Sequence, residues 1–191
     1  MNQAELRRLA IVALSGVAAV LVATLIVAVA LGDGSSGERD SGAPRIGDHC
    51  HAPYAIFIGD QLQPNIQQVI TPQGVHTHGD GVIHIHPHIP VAEGSGARLA
   101  NFFGDQGGKL TNSEMRIPGR TETYKNGDLV DGKRAELRIL RADSGIHPLG
   151  GDFAAAIGVC SDKPDSDFDH VGPDYVPQDG DCIRIVFGQA E

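Results

Sequence analysis

Residues 74–87, Gly-Val-His-Thr-His-Gly-Asp-Gly-Val-Ile-His-Ile-His-Pro, organise the reading of this chain. Two alternating segments flank Gly79-Asp80-Gly81, the pattern of a β-hairpin. Side chains two apart on a strand point to the same face, so His76 and His78 form one pair, and His84 and His86 another. Turn length decides how the pairs meet. A two-residue Asp80-Gly81 turn sets His78 against Ile83 and sends the pairs to opposite faces. A three-residue Gly79-Asp80-Gly81 loop sets His78 against Val82 and His76 against His84, so all four share one face. Gly81 suits the left-handed position that three-residue hairpins need, so a shared face is expected.

Upstream, Asp48-His49-Cys50-His51 adds a third pair, and seven of the nine histidines fall between residues 49 and 88. Imidazole is the commonest protein ligand for transition metals. On a shared face His76 and His84 are cross-strand partners about 5 Å apart at Cβ, close enough to hold one ion. His49 and His51, entering from a neighbouring strand, would complete a three- or four-ligand set. The candidate ligands are His49, His51, His76, His78, His84 and His86. Asp48 and Asp80 are candidate carboxylate ligands, or groups that accept an imidazole N–H. Zinc, copper and iron all suit such a mixture. The competing readings are a hydrogen-bonded polar strand face without metal, and a cluster that charges at mildly acidic pH.

Residues 9–31 form an uncharged run rich in Ala, Val and Leu. As a helix it would extend about 34 Å, enough to cross a hydrocarbon core of about 30 Å. Arg7 and Arg8 precede it while Asp33, Glu38 and Asp40 follow, so residues 1–8 are expected in the cytoplasm and the rest outside. A cleaved signal peptide ending at Ala28-Val29-Ala30 is the alternative, but the apolar run exceeds the usual 7–15 residues. Residues 32–47, rich in Gly, Ser and charge, read as a flexible tether. Residues 48–191 then form one extracytoplasmic domain in the membrane-anchored reading. The net charge is −9, and the first 31 residues are net positive, so the remainder is strongly acidic. That disfavours nucleic acid as a partner and leaves the membrane, through the N-terminal helix, and divalent metal as the expected contacts. No protein partner is indicated.

Residues 52–58 read as a buried strand, 62–66 as a short strand or loop, and 110–117 and 133–140 as strands around the turn Asn126-Gly127-Asp128. A short helix is expected after Ser95-Gly96, with Leu99, Phe102 and Phe103 on one side and Gly104 at its end. Residues 142–172 read as irregular. The last strand, 182–187, places Ile183, Ile185 and Phe187 inward. The fold class is therefore α+β and β-rich, a β-grasp-like roll or a small β-barrel with one short helix. Of the three cysteines, Cys160 and Cys182 are the favoured disulfide pair, leaving Cys50 as a ligand or a small buried residue.

Other motifs fall short. His76-Thr77-His78-Gly79-Asp80 opens like the metallo-β-lactamase H-x-H-x-D motif, but Gly81 stands where that motif needs histidine. Cupins also carry H-x-H on a strand, followed by Glu, yet Glu93 is distant and in a loop-like setting. A metal-dependent enzyme of cupin or hydrolase type is thus the alternative function, and a non-metal structural or interaction module the third. Residues 165–169 (Asp-Ser-Asp-Phe-Asp) alternate carboxylates like a calcium loop, but lack its Gly and closing Glu. There is no G-x-S-x-G, P-loop or dinucleotide signature.

With these residues in view, the chain resembles a group of uncharacterised exported bacterial proteins, mostly actinobacterial, with one N-terminal membrane segment. The matching motifs are D-H-x-H-A at residues 48–52 and G-x-H-x-H-G-D-G-x-I-H-I-H-P at residues 74–87. Residues 123–128 and 175–181 also match. Two departures stand out. The group often has an aromatic residue in place of Cys50. It also commonly carries cysteines near residues 58–59 and after the N-G-D turn, which this chain lacks. The resemblance implies the anchored, exported architecture and lends no activity. It also weighs against Cys50 as a ligand.

Overall fold

A computed structural model describes residues 42–67, 71, 74–145 and 153–189. The apolar run at 9–31 and residues 32–41 of its tether lie outside the described residues. Among the described residues no helix is long and apolar enough to cross a membrane. The chain is mixed α+β and strand-rich, as expected. Its strands are β1 (Cys50–Ile58), β2 (Gln61–Leu62), β3 (Val75–His76), β4 (Val82–Ile85), β5 (Lys109–Leu110), β6 (Glu114–Arg116), β7 (Tyr124–Lys125), β8 (Leu129–Val130), β9 (Lys133–Asp143), β10 (Asp169–Val171) and β11 (Asp181–Gln189). Two α-helices are described, α1 (Leu99–Asp105) and α2 (Phe153–Asp162).

The main sheet runs β10-β9-β11-β1-β4-β3, with β2 paired to β1 and β8 to β9. At its centre β1 and β11 are parallel, Tyr54 opposite Ile183 and Ile56 opposite Ile185, while β4 and β9 flank them antiparallel. The path has two ends and is open, where a small barrel would return on itself. A second sheet, β5-β6-β7, is short.

Alternation along the strands divides the chemistry between the two faces of the main sheet. Ala52, Tyr54 and Ile56 of β1, Ile83 and Ile85 of β4, and Ile183, Ile185 and Phe187 of β11 join one core with Leu99, Phe102 and Phe103 of α1. The inward set expected of the last strand is thus observed. The opposite face holds a smaller core of Ala55, Leu140, Ala142, Cys160, Phe168, Cys182 and Val186, beneath α2. The histidines of β1 and β4 lie on this second face, where the apolar packing thins out.

Two expectations need correction. The segment 110–117 is not one strand: the Thr111 hydroxyl accepts hydrogen bonds from the amides of Ser113 and Glu114 and turns the chain into the β5–β6 pair. Residues 142–172 are not wholly irregular, because α2 and β10 lie within them, so the described residues hold two α-helices where one was expected. The Gly, Asp and Pro that flank α2 masked its Ala-rich interior, Phe-Ala-Ala-Ala-Ile-Gly-Val-Cys.

Cys160 of α2 and Cys182 of β11 form the favoured disulfide, with Cα atoms 5.4 Å apart. The buried Arg184 secures the same helix. Its guanidinium donates to the Cys160 carbonyl and to the Asp165 carboxylate, and stacks 4.3 Å from the centre of the Phe168 ring. Cross-linking residues 22 apart restricts the unfolded chain by about 3 kcal/mol. We expect the double variant Cys160→Ala, Cys182→Ala to lose about that much stability in urea unfolding. A midpoint unchanged from the oxidised parent would contradict the assignment.

Candidate metal centre

The register decides the site. His51 of β1 lies opposite His84 of β4, and His84 lies opposite His76 of β3. Three histidines therefore stand in a row across three adjacent strands. The shared-face hairpin is observed in the His76–His84 pairing, with Gly79 at φ +81° and Gly81 at φ +83°. A Cβ at Gly81 would sit 3.0 Å from Ile157 Cδ1 of α2, so space as well as conformation favours glycine there. Gly74 accepts the His86 amide at 2.7 Å, and a Cβ on it would collide with the His86 carbonyl at 1.9 Å. Two glycines thus let the chain close around the histidine face.

His49, His51 and His86 each offer one ligand atom, and these lie within 4.8 Å of one another. Nε2 of His49 and Nε2 of His51 are 3.0 Å apart, and the rings of His49 and His86 have centres 3.8 Å apart. His51 and His84 are buried, whereas His49 is exposed. Nδ1 of His51 and Nε2 of His86 are buried atoms with no hydrogen-bond partner. Leaving polar atoms buried and unsatisfied is costly, and a cation within reach of their lone pairs relieves that cost. The triad therefore fits a metal ion.

His76 and His78 stand beside the triad, with Nε2 atoms 3.3 Å apart. Asp80 Oδ2 lies 2.8 Å from His84 Nε2, and Asp80 Oδ1 accepts the Val82 amide. All six candidate histidines are thus gathered on one face. Asp80 is positioned behind His84, whereas Asp48 is exposed and accepts the Arg45 amide at 2.8 Å, closing the turn before β1. Cys50 alternates to the opposite face and packs against the large core. Burial pushes its thiol pKa up, and the charges of Asp179 and Asp48 add to this, which disfavours the thiolate a metal would need. Cys50 is the small packed residue of the two alternatives.

Two neighbours were not identified from sequence. Asp179 Oδ1 accepts the His51 amide at 2.9 Å and lies 3.9 Å from His51 Nδ1. It arrives on the 178–181 turn, which the buried Asp181 braces by accepting from Tyr175, Arg141 and the Gln178 amide. Phe153, at the start of α2, sets its ring 5.1 Å from that of His51 and 5.8 Å from that of His84. The Gln-Asp-Gly-Asp turn was visible in sequence, but nothing local connected it to a histidine so distant.

A cavity of about 450 Å³ is lined by Phe57, Arg138, Asp165, Arg184 and their neighbours, and by none of the histidines. There both arginines pair with Asp165. That carboxylate, part of the calcium-like stretch, is therefore engaged by arginine. No protein-family model matches the chain, and comparison with curated proteins and with solved structures finds no match either.

Burial holds His51, His76, His84 and His86 below the usual imidazole range, His86 at about 4, and neighbouring imidazoles push in the same direction. Asp80 partly offsets this at His84. Burial raises the Asp80 carboxyl, but the His84 hydrogen bond and charge outweigh it and leave it below its ordinary value. At neutral pH these rings are neutral, the form that ligates metal. In metal-free protein the unfolded chain takes up protons near pH 6.5 while the folded face resists, so stability is lost as pH falls from there towards 4. We expect the urea midpoint in chelator to decline steadily across that window. A flat midpoint from pH 7 to pH 5 would contradict these shifts.

Proposed function

We propose that this chain is a membrane-anchored, extracytoplasmic domain that binds a transition metal through its histidine face, for metal handling, sensing or assembly. The observation that carries the reading is the triad of His49, His51 and His86, whose ligand atoms lie within 4.8 Å of one another. An all-imidazole set suits zinc, copper(II) or iron(II). Asp179 accepts the His51 amide and sets its carboxylate 3.9 Å from His51 Nδ1, a negative charge beside the site.

The strand order β4-β1-β11-β9-β10, with a parallel central pair and a helix on one face, supports a β-grasp-like roll as the scaffold. Export is supported by the disulfide, a bond that persists outside reducing compartments. The uncharged run at 9–31, preceded by two arginines, supports the anchor. The resemblance to exported, anchored bacterial proteins agrees with both. A second reading, a metal-dependent enzyme, is favoured by one feature. Three protein ligands leave a coordination position for water or substrate, as in catalytic zinc sites.

The deciding measurement is elemental analysis and zinc or copper titration of the full chain after dialysis, beside the variant His49→Ala, His86→Ala. We expect bound metal in the parent and an affinity at least about a hundredfold weaker at this site in the variant. No bound metal in the parent after reconstitution would reject the reading. Fractionation of producing cells should recover the chain with the membrane. Recovery in the soluble cytoplasmic fraction would reject the anchor.

A further inference from the structure

Six imidazoles are more than one ion uses, and beside the triad of His49, His51 and His86 stand three more. Nitrogens bound at 2.0–2.1 Å to one tetrahedral ion lie about 3.3 Å apart, and the ring centres they belong to about 5 Å apart. His49, His51 and His86 form the first group. The remaining three lie at similar ring spacing. Nε2 of His76 and Nε2 of His78 are 3.3 Å apart. Ring centres are 4.8 Å apart for His76 and His78, 4.5 Å for His78 and His84, and 5.7 Å for His76 and His84.

Each group also has its own carboxylate behind one buried ring. Asp179 stands by His51, and Asp80 by His84. Asp80 Oδ2 lies 2.8 Å from His84 Nε2, and a carboxylate placed there accepts the Nε2–H. Nδ1 of His84 then keeps the lone pair that a metal would take. The two carboxylates offset part of the charge that two dications would bring to one face. The ring centres of His51 and His84 are 4.9 Å apart, so the two groups adjoin directly.

We propose that the histidine face is a two-ion centre, with a second metal subsite formed by His76, His78 and His84 and oriented by Asp80. This rests on the metal-binding reading above. The second subsite lies at the β3 edge of the sheet, and each subsite holds one buried and one exposed histidine: His84 and His78 in the second, His51 and His49 in the first.

Zinc stoichiometry of the full chain separates the possibilities. Apo-protein is titrated with Zn²⁺ alone, and bound zinc is counted after equilibrium dialysis, in the parent, in His76→Ala with His78→Ala, and in His49→Ala with His86→Ala. Two equivalents in the parent and one in each double variant is the expected result. The single variant His78→Ala, at an exposed position that leaves packing intact, should weaken the second equivalent at least tenfold and spare the first. One equivalent in the parent, retained in His76→Ala with His78→Ala, would overturn the second subsite while leaving the first. One equivalent lost in both double variants would mean a single shared centre and would also overturn it. No zinc in the parent would instead overturn the metal-binding reading itself.

Discussion

The pairing of His51, His84 and His76 across β1, β4 and β3 is the constraint on which the site depends. Side chains alternate with a period of two, so a one-residue slip in either ladder would exchange imidazoles for Ile83 and Ile85. The apolar core opposes such a slip, because Ala52, Ile83, Ile85 and Val75 are buried together on the other face. Correct packing of the core and correct presentation of the histidines are therefore one event. The site needs no separate device to hold its register.

The same sheet serves two solvents. One face is continuous hydrocarbon under α1, while the other passes from the Cys160–Cys182 core to the histidines, with Phe153 at the join. That join matters to the chemistry. An aromatic ring against His51 and His84 restricts water there and lowers the local dielectric, which keeps the imidazoles neutral and strengthens their contacts to carboxylates. The arginine cavity shares this face of the sheet but not this chemistry, since its guanidiniums are committed to Asp165.

What could be read from sequence was what local spacing encodes. The H-x-H pairs, the Gly79-Asp80-Gly81 loop, the inward set of the last strand and α1 all follow from periods of two or 3.6 and from turn chemistry. The Cys160–Cys182 disulfide is favoured in sequence as a loop tied to the last strand, but three cysteines allow three pairings and sequence does not choose among them. What escaped depended on distance in the chain. Asp179 reaches His51 only because β1 and β11 run parallel at the sheet centre, and Phe153 only because α2 is tied down by Cys182 and Arg184. The convergence of His49, His51 and His86 likewise depends on ring positions that a strand pattern does not contain.

The order of these parts along the chain has a consequence for synthesis. The six histidines all lie between residues 49 and 86, on antiparallel neighbours that can pair as soon as this segment emerges. The helix that shields them and the turn that backs His51 come only with the C-terminal part, and the parallel closure of β1 with β11 is the slow, long-range step. The nascent chain thus presents its imidazoles bare before it can enclose them. Any metal ion present while the chain is being made would therefore meet these imidazoles before the C-terminal part covers them.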